Sequence, residues 1–223
     1  MKKIMFNDRY GLTGDVLRGD KTMTRRMMTM TLHRRNKYGQ MVKIMPDNMF
    51  IASDGTAHFQ VGRNGYMVPK QNQPAYHVGE EVAIAQSYRD VYDEYLNDIN
   101  NPIFDAYAKA KDEEVSGKGF ENKMFVRADL MPHRIRITGI KVERLQDISD
   151  EDCLREGIQE YFPYIDRNPN DRVRTFQYFR DGKIRHRMSP APECFALLID
   201  DICGKGTWQR NPWVFAYEFE LLR

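Results

Sequence analysis

Hydrophobic and polar positions change period several times along the chain, and each change marks an element. Residues 1–26 read as a strand, a short helix and a basic turn. Thr13 is placed to cap that helix, Val16 and Leu17 point inward, and Gly19 suits the left-handed position that ends it. Residues 27–75 show little periodicity, and Asp54-Gly55 and Asn64-Gly65 suggest hairpin turns between weak strands. The run from Val78 to Ala85 reads as a turn leading into a core strand. In 90–116, Tyr92, Tyr95, Leu96 and Ile99 keep helical spacing, and Asn101-Pro102 restarts a second helix. Tyrosines and acids fill these helices, as expected of a peripheral insertion.

The stretch from His133 to Val142 alternates, but Ile135 and Ile137 differ in parity from Ile140 and Val142. A bulge at Gly139 restores a single buried face and leaves Arg134 and Arg136 on the other. Ser149 and Asp152 form a capping box, with Ile148 and Cys153 at the hydrophobic-staple positions. Phe195, Leu198, Ile199 and Ile202 mark an amphipathic helix stopped by Gly204. The final strand puts Trp213, Phe215, Tyr217, Phe219 and Leu221 on one face and Glu218 and Glu220 on the other. These short strands and few long helices predict an α+β fold. Residues 20–26, 80–86, 134–143 and 213–221 form one small curved sheet or barrel, with 90–116 outside it.

Composition narrows the class. At 223 residues with 41% apolar content the chain supports a real core, and its net charge of +2 argues against a nonspecific coat on nucleic acid. Cys153, Cys194 and Cys203 have neither disulfide nor zinc spacing, and His33, His58, His77, His133 and His186 lack partners at ligand spacing. No cofactor and no metal is therefore expected. No signal peptide or membrane-spanning run is evident, so a soluble, cytoplasmic protein is expected.

The densest chemistry lies in Gly19-Asp20-Lys21-Thr22-Met23-Thr24-Arg25-Arg26, which sets one amine, two hydroxyls and two guanidiniums within eight residues. Lys21 and Thr24 have the makings of a base and nucleophile, and Arg25 and Arg26 of a phosphate clamp. A solvated basic turn has the same composition. Glu156 sits in the last turn of a helix, where a negative charge costs about 0.3–1 kcal/mol, so it breaks a local rule. In 159–190, Arg172, Arg174, Arg180, Arg185 and Arg187 are interleaved with Phe176, Tyr178 and Phe179. That composition serves base stacking with phosphate neutralisation, and serves a solvated loop equally.

The first of these stretches resembles the G-x-K-T-x-T-x-R signature of the ASCH domains in the PUA-like superfamily. Val142 to Ser149 followed by Glu156-Gly157-Ile158 is similar to their second element, and Asn211-Pro212-Trp213-Val214-Phe215 to the closing strand of phage and prophage members. The resemblance covers roughly 1–26, 76–89, 126–158 and 195–223. It implies one PUA-like domain over 1–223, with a pseudo-barrel, peripheral helices and insertions at about 27–75, 90–125 and 159–190.

One branch of that family comprises small amidohydrolases that cleave N4-acetylcytidine. Their catalytic lysine, threonine and glutamate fall on Lys21, Thr24 and Glu156. The resemblance implies Thr24 as nucleophile, Lys21 as its base and Glu156 as orienting group or acid, with backbone N–H groups around Gly19–Thr22 holding the oxyanion. Those enzymes are less than half this length, and Lys21 and Thr24 have opposite strand parity, so a turn or bulge must separate them. The alternative is a noncatalytic RNA-binding module, in which Thr22, Arg25 and Arg26 join Arg134, Arg136, Arg185 and Arg187 along a groove. A nuclease is a further alternative. The expected partner is a nucleoside or RNA.

Overall fold

The computed structural model describes residues 1–28, 32–44, 46, 48–60, 66–67, 73–92, 100–112, 118–161, 174–188 and 190–222. The first elements are β1 (Lys2–Ile4), α1 (Leu12–Arg18), β2 (Met23–Met27), and a run of short strands. These are β3 (Leu32–Arg35), β4 (Met41–Ile44), β5 (Asn48–Ile51), β6 (Ala57–Gln60) and β7 (Tyr66–Met67). Then come β8 (Glu81–Ile84), α2 (Tyr88–Tyr92), α3 (Pro102–Asp112), β9 (Arg134–Arg144) and α4 (Asp150–Arg155). The chain continues through β10 (Gln159–Tyr161), β11 (Thr175–Arg180), β12 (Lys183–Met188), α5 (Ala191–Cys203) and α6 (Thr207–Arg210) to β13 (Trp213–Leu222).

The fold is mixed α+β around a five-stranded sheet ordered β1-β8-β9-β13-β2. Its β1–β8 pair is parallel and the other pairs are antiparallel. All four predicted strands belong to this sheet, and β1 completes it. The expected bulge is present. Glu218 faces Gly139 and Phe219 faces Ile137, so Thr138 is the extra residue. Ile135 and Ile137 are fully buried, and Ile140 and Val142 pack against the same core.

The sheet curls without closing. Four strand spacings of ~4.8 Å would hold the edges of a flat sheet about 19 Å apart, more than an arginine side chain spans. Yet Arg26 of β2 donates to the carbonyl of Met5, one residue beyond β1, at 2.6 Å. No ladder joins β1 to β2 among the described residues. A gap therefore remains between the two edges, and the candidate site occupies it.

Local chemistry agrees with the sequence at most ends and differs at two. Gly19 ends α1 at φ 84°, but Gly11 rather than Thr13 precedes the helix. Thr13 lies inside it, and its hydroxyl donates to the Asp8 carboxylate. Ser149 caps α4 by accepting from the Asp152 N–H at 3.1 Å. The Asp152 carboxylate does not return the bond; it reaches Arg25 instead. Asn101 accepts from the Ile103 N–H at the start of α3. The Asp54-Gly55 turn joins β5 to β6. Tyr95, Leu96, Ile99 and Asn64-Gly65 lie outside the described residues.

The three expected insertions are not equally peripheral. Met49, Ala57 and Phe59 from 27–75, and Phe176 and Tyr178 from 159–190, are buried in the main core. The β10–β11–β12 sheet therefore turns Phe176 and Tyr178 inward, away from a base-stacking role, and leaves Phe179 half-buried. By contrast, α2 and α3 bury Tyr88, Val91, Ile103 and Ala110 in a second, smaller cluster with Ala83 and Ala85. No helix among the described residues is long and apolar enough to cross a membrane.

One glycine ties this framework to the site. Gly157 follows α4 at φ 105°, and a Cβ there would stand 2.9 Å from a Leu12 methyl and 3.3 Å from the Asp15 carboxylate. Gly157→Ala is expected to destabilise by about 1–3 kcal/mol. A urea titration checks this: the midpoint should fall with an unchanged m-value, and an unmoved midpoint contradicts it.

Candidate functional site

The residues before β2 do not continue the strand. After the Gly19 turn, the Asp20 and Lys21 N–H groups both donate to the Asp15 carbonyl, and the Thr22 N–H donates to the Arg155 carbonyl. The segment is thus pinned between α1 and α4 and enters β2 only at Met23. This irregular entry removes the parity difficulty, because Lys21 and Thr24 line the same cavity.

Glu156 comes to that cavity from the C-terminal end of α4, 135 positions from Lys21. The Lys21 ammonium donates to the Glu156 Oε2 at 2.7 Å and to the Glu156 backbone carbonyl at 2.6 Å. It therefore satisfies both the helix-end carbonyl and the carboxylate that the helix dipole disfavours there. Arg25 holds the other carboxylate oxygen, Nη1 to Oε1, at 3.1 Å. The same guanidinium reaches Asp152 at 2.9 Å and Glu143 at 2.6 Å. The Lys21 and Arg25 side chains are each only 1% exposed.

Burial pushes the Lys21 ammonium below its ordinary pKa of 10.5, against the charge and hydrogen bond of Glu156, which pull it up. Nearby Arg26 adds to the lowering. Burial also works to raise the Asp152 carboxyl, but the Arg25 hydrogen bond and charge, with Lys141, hold it below the usual range. The Cys153 and Cys194 thiols are pushed up to about 12 by burial, so neither supplies a thiolate near neutral pH.

The cavity has a volume of about 650 Å³. The edge of β2 contributes Thr24, Arg25 and Arg26, the loop after β1 contributes Phe6 to Arg9, and the apolar face of α5 forms the facing wall. Phe195, Leu198, Ile199 and Ile202, predicted as a core stripe, therefore also line this space. The Thr24 hydroxyl makes no hydrogen bond among the described residues, and Lys21 is bonded to Glu156 rather than to Thr24.

The expected oxyanion donors are not there. The N–H groups of Gly19, Asp20, Lys21 and Thr22 are all bonded internally. Another donor faces outward instead. Phe219 N–H donates to the Thr22 carbonyl and Met28 N–H to the Trp213 carbonyl, which sets the alternation along β2. By that alternation Thr24 and Arg26 bond to β13, and the Arg25 N–H and carbonyl point out of the free edge.

The remaining arginines do not join this site. Arg136 pairs with Glu81 at 2.9 Å and with Glu220 at 3.5 Å, and Arg134 is exposed two residues away on the same strand face. Register puts Thr24 opposite Tyr217 and Ile140, on the face turned away from Arg134 and Arg136. Arg185 is exposed on β12 and is not among the cavity residues; the side chain of Arg187 and the whole of Arg172 lie outside the described residues. Thr22 accepts from Arg155 Nε at 3.2 Å and does not line the cavity. The groove expected from these residues is thus replaced by a compact cavity in which Arg25 and Arg26 remain.

Sequence reasoning missed Asp152 and Glu143 as partners of Arg25. Asp152 lies four residues before Glu156, a spacing that puts two carboxylates on one helix face and signals a shared cation. Among the described residues no group of three or more His, Cys, Asp or Glu side chains is arranged to hold a metal ion. The chain matches no family model, no curated protein and no solved structure.

Arg25 is the member on which stability depends most. Arg25→Leu leaves Glu143, Asp152 and Glu156 without their shared cation and is expected to cost about 3–5 kcal/mol. Lys21→Met should cost less, because Arg25 still compensates Glu156. Equilibrium denaturation of the two variants tests the order, and a larger loss in Lys21→Met would contradict it.

Proposed function

We propose that this protein is a PUA-like ASCH-type amidohydrolase that removes an acyl group from the exocyclic amine of a nucleoside such as N4-acetylcytidine. The observation that carries the reading is the convergence of Lys21, Thr24 and Glu156 on one cavity, with Lys21 and Glu156 2.7 Å apart. The apolar wall of α5 suits a planar base and the polar edge of β2 suits an amide, which is the usual composition of a small-molecule site.

The chemistry runs as follows. Burial favours the neutral amine of Lys21, which forms when the ammonium gives its proton to solvent. A turn of the lysine chain, or one bridging water, brings that amine to the Thr24 hydroxyl. As Lys21 takes the hydroxyl proton, Thr24 Oγ1 attacks the amide carbonyl carbon. The Arg25 N–H at the free edge is the donor for the resulting oxyanion. The Lys21 ammonium so formed, oriented by Glu156, gives its proton to the departing nitrogen, the C–N bond breaks, and an acyl-threonine remains. Water then hydrolyses this ester, releasing the carboxylic acid and restoring the hydroxyl.

A noncatalytic binding module is the second reading, and the internal bonding of every N–H from Gly19 to Thr22 favours it. Mutation separates the two. For hydrolysis, Thr24→Ala is expected to lower kcat on N4-acetylcytidine by about 100-fold or more, with ligand Kd within about twofold. Wild-type protein that binds this nucleoside without turnover supports the binding module and overturns the hydrolase.

The pH profile supplies a second test. The rising limb of kcat/KM should fall below the ordinary lysine value of 10.5. Glu156→Gln removes the partner that raises Lys21 and leaves burial unopposed, so the limb should move to lower pH while kcat declines. A limb that moves upward would exclude Lys21 as the base.

A further inference from the structure

Among the described residues, each charged group that lines the cavity has a charged partner, with one exception. Lys21 pairs with Glu156, and Arg25 with Glu156, Asp152 and Glu143. Lys123 pairs with Asp8 at 2.7 Å, and its ammonium also donates to Thr13 and to the Phe6 carbonyl, so its three protons are used. Arg9 pairs with Asp181 at 3.1 Å. Arg26 has no carboxylate partner among the described residues.

The position of Arg26 is nonetheless defined. One terminal nitrogen is anchored on the Met5 carbonyl at 2.6 Å, and the guanidinium carbon lies 6.0 Å from the centre of the Phe6 ring. Register puts it on the same strand face as Thr24, two residues along β2. Arg26 is exposed, and among the described residues its remaining guanidinium N–H groups have no acceptor, at the solvent-facing end of a cavity whose other charges are compensated. A fixed guanidinium with unused donors is a receptor for a planar or tetrahedral oxyanion.

We infer that Arg26 binds the phosphate of a phosphorylated nucleoside, so that the cavity takes a nucleotide rather than the bare nucleoside. The inference rests on the nucleoside reading above for the identity of the base, but not for the anion. Thr24 and Arg26 then divide the ligand along one strand edge, the acyl group at Thr24 and the ribose-linked phosphate at Arg26. Free nucleotides and the ends or links of an RNA chain present the same phosphate chemistry.

Calorimetric titration of wild-type protein, Arg26→Gln, Arg26→Lys and the surface control Arg185→Ala tests the assignment. The probes are N4-acetylcytidine, its 5′-monophosphate and ribose 5-phosphate. To isolate binding from turnover, each protein also carries Thr24→Ala. The monophosphate is expected to bind about tenfold tighter than the nucleoside at low salt, with the difference shrinking as salt is raised. Arg26→Gln should abolish the difference; Arg26→Lys should keep part of it, and Arg185→Ala all of it.

Equal affinity for nucleoside and monophosphate in the otherwise wild-type protein overturns the inference and leaves the nucleoside reading intact. A preference that survives in Arg26→Gln overturns it too. If neither cytidine ligand binds, the nucleoside reading fails; ribose 5-phosphate binding that Arg26→Gln removes then upholds the anion site, and its absence refutes both. A trinucleotide carrying the acetylated base distinguishes the sources: tighter binding than the mononucleotide assigns the phosphate to a chain, and weaker binding to a free nucleotide.

Discussion

The site depends on one buried carboxylate shared between two cations. Glu156 divides its oxygens between Lys21 and Arg25, and in doing so fastens the end of α4 to the last strand of the sheet. Such an arrangement is asymmetric in energy. Desolvating the charges offsets most of their attraction, so the assembled cluster adds little net stability, whereas losing one member strands the others away from water. The cluster therefore acts mainly to specify one geometry. It also explains how a glutamate is accommodated where the helix dipole disfavours it, since Lys21 meets both the carboxylate and the helix-end carbonyl.

A second constraint is the incomplete closure of the sheet. A strand edge left open would ordinarily present unpaired backbone groups to any passing chain. Here β1 and β2 curl toward one another, Arg26 bridges them, and α5 faces the opening. The free edge of β2 thus borders a cavity, with polar residues of β2 on one side and the apolar face of α5 on the other. The ionisable groups gathered there are an amine, a carboxylate and a guanidinium.

The segments outside the main sheet contribute unequally to this cavity. The 159–190 region supplies core aromatics beneath the sheet, and Asp181 in its turn holds Arg9. The helical segment keeps its own small core, and the chain after it sends Lys123 to the loop that borders the cavity. These additions are joined to the site by a few polar contacts, so its central geometry belongs to β2, α4 and the loop after β1.

Much of this was legible along the chain. Alternation in 134–143 required a bulge, read at Gly139 and found at the adjacent Thr138, Gly19 fitted its left-handed turn, and Glu156 stood out by breaking the helix-dipole rule. These features follow from short-range sterics and periodicity, which a linear pattern records. The rest depended on which distant groups meet. Asp152 read as a local cap because its nearest donor is its own helix start, but the stronger donor, Arg25, lies 127 positions away. Phe176 and Tyr178 carry the same side chains whether they stack on a base or fill a core, and only the packed sheet buries them. Likewise, the N–H groups of Gly19 to Thr22 were free in the sequence but bonded in the fold, because burial compels each backbone donor to find whichever acceptor the tertiary structure brings near.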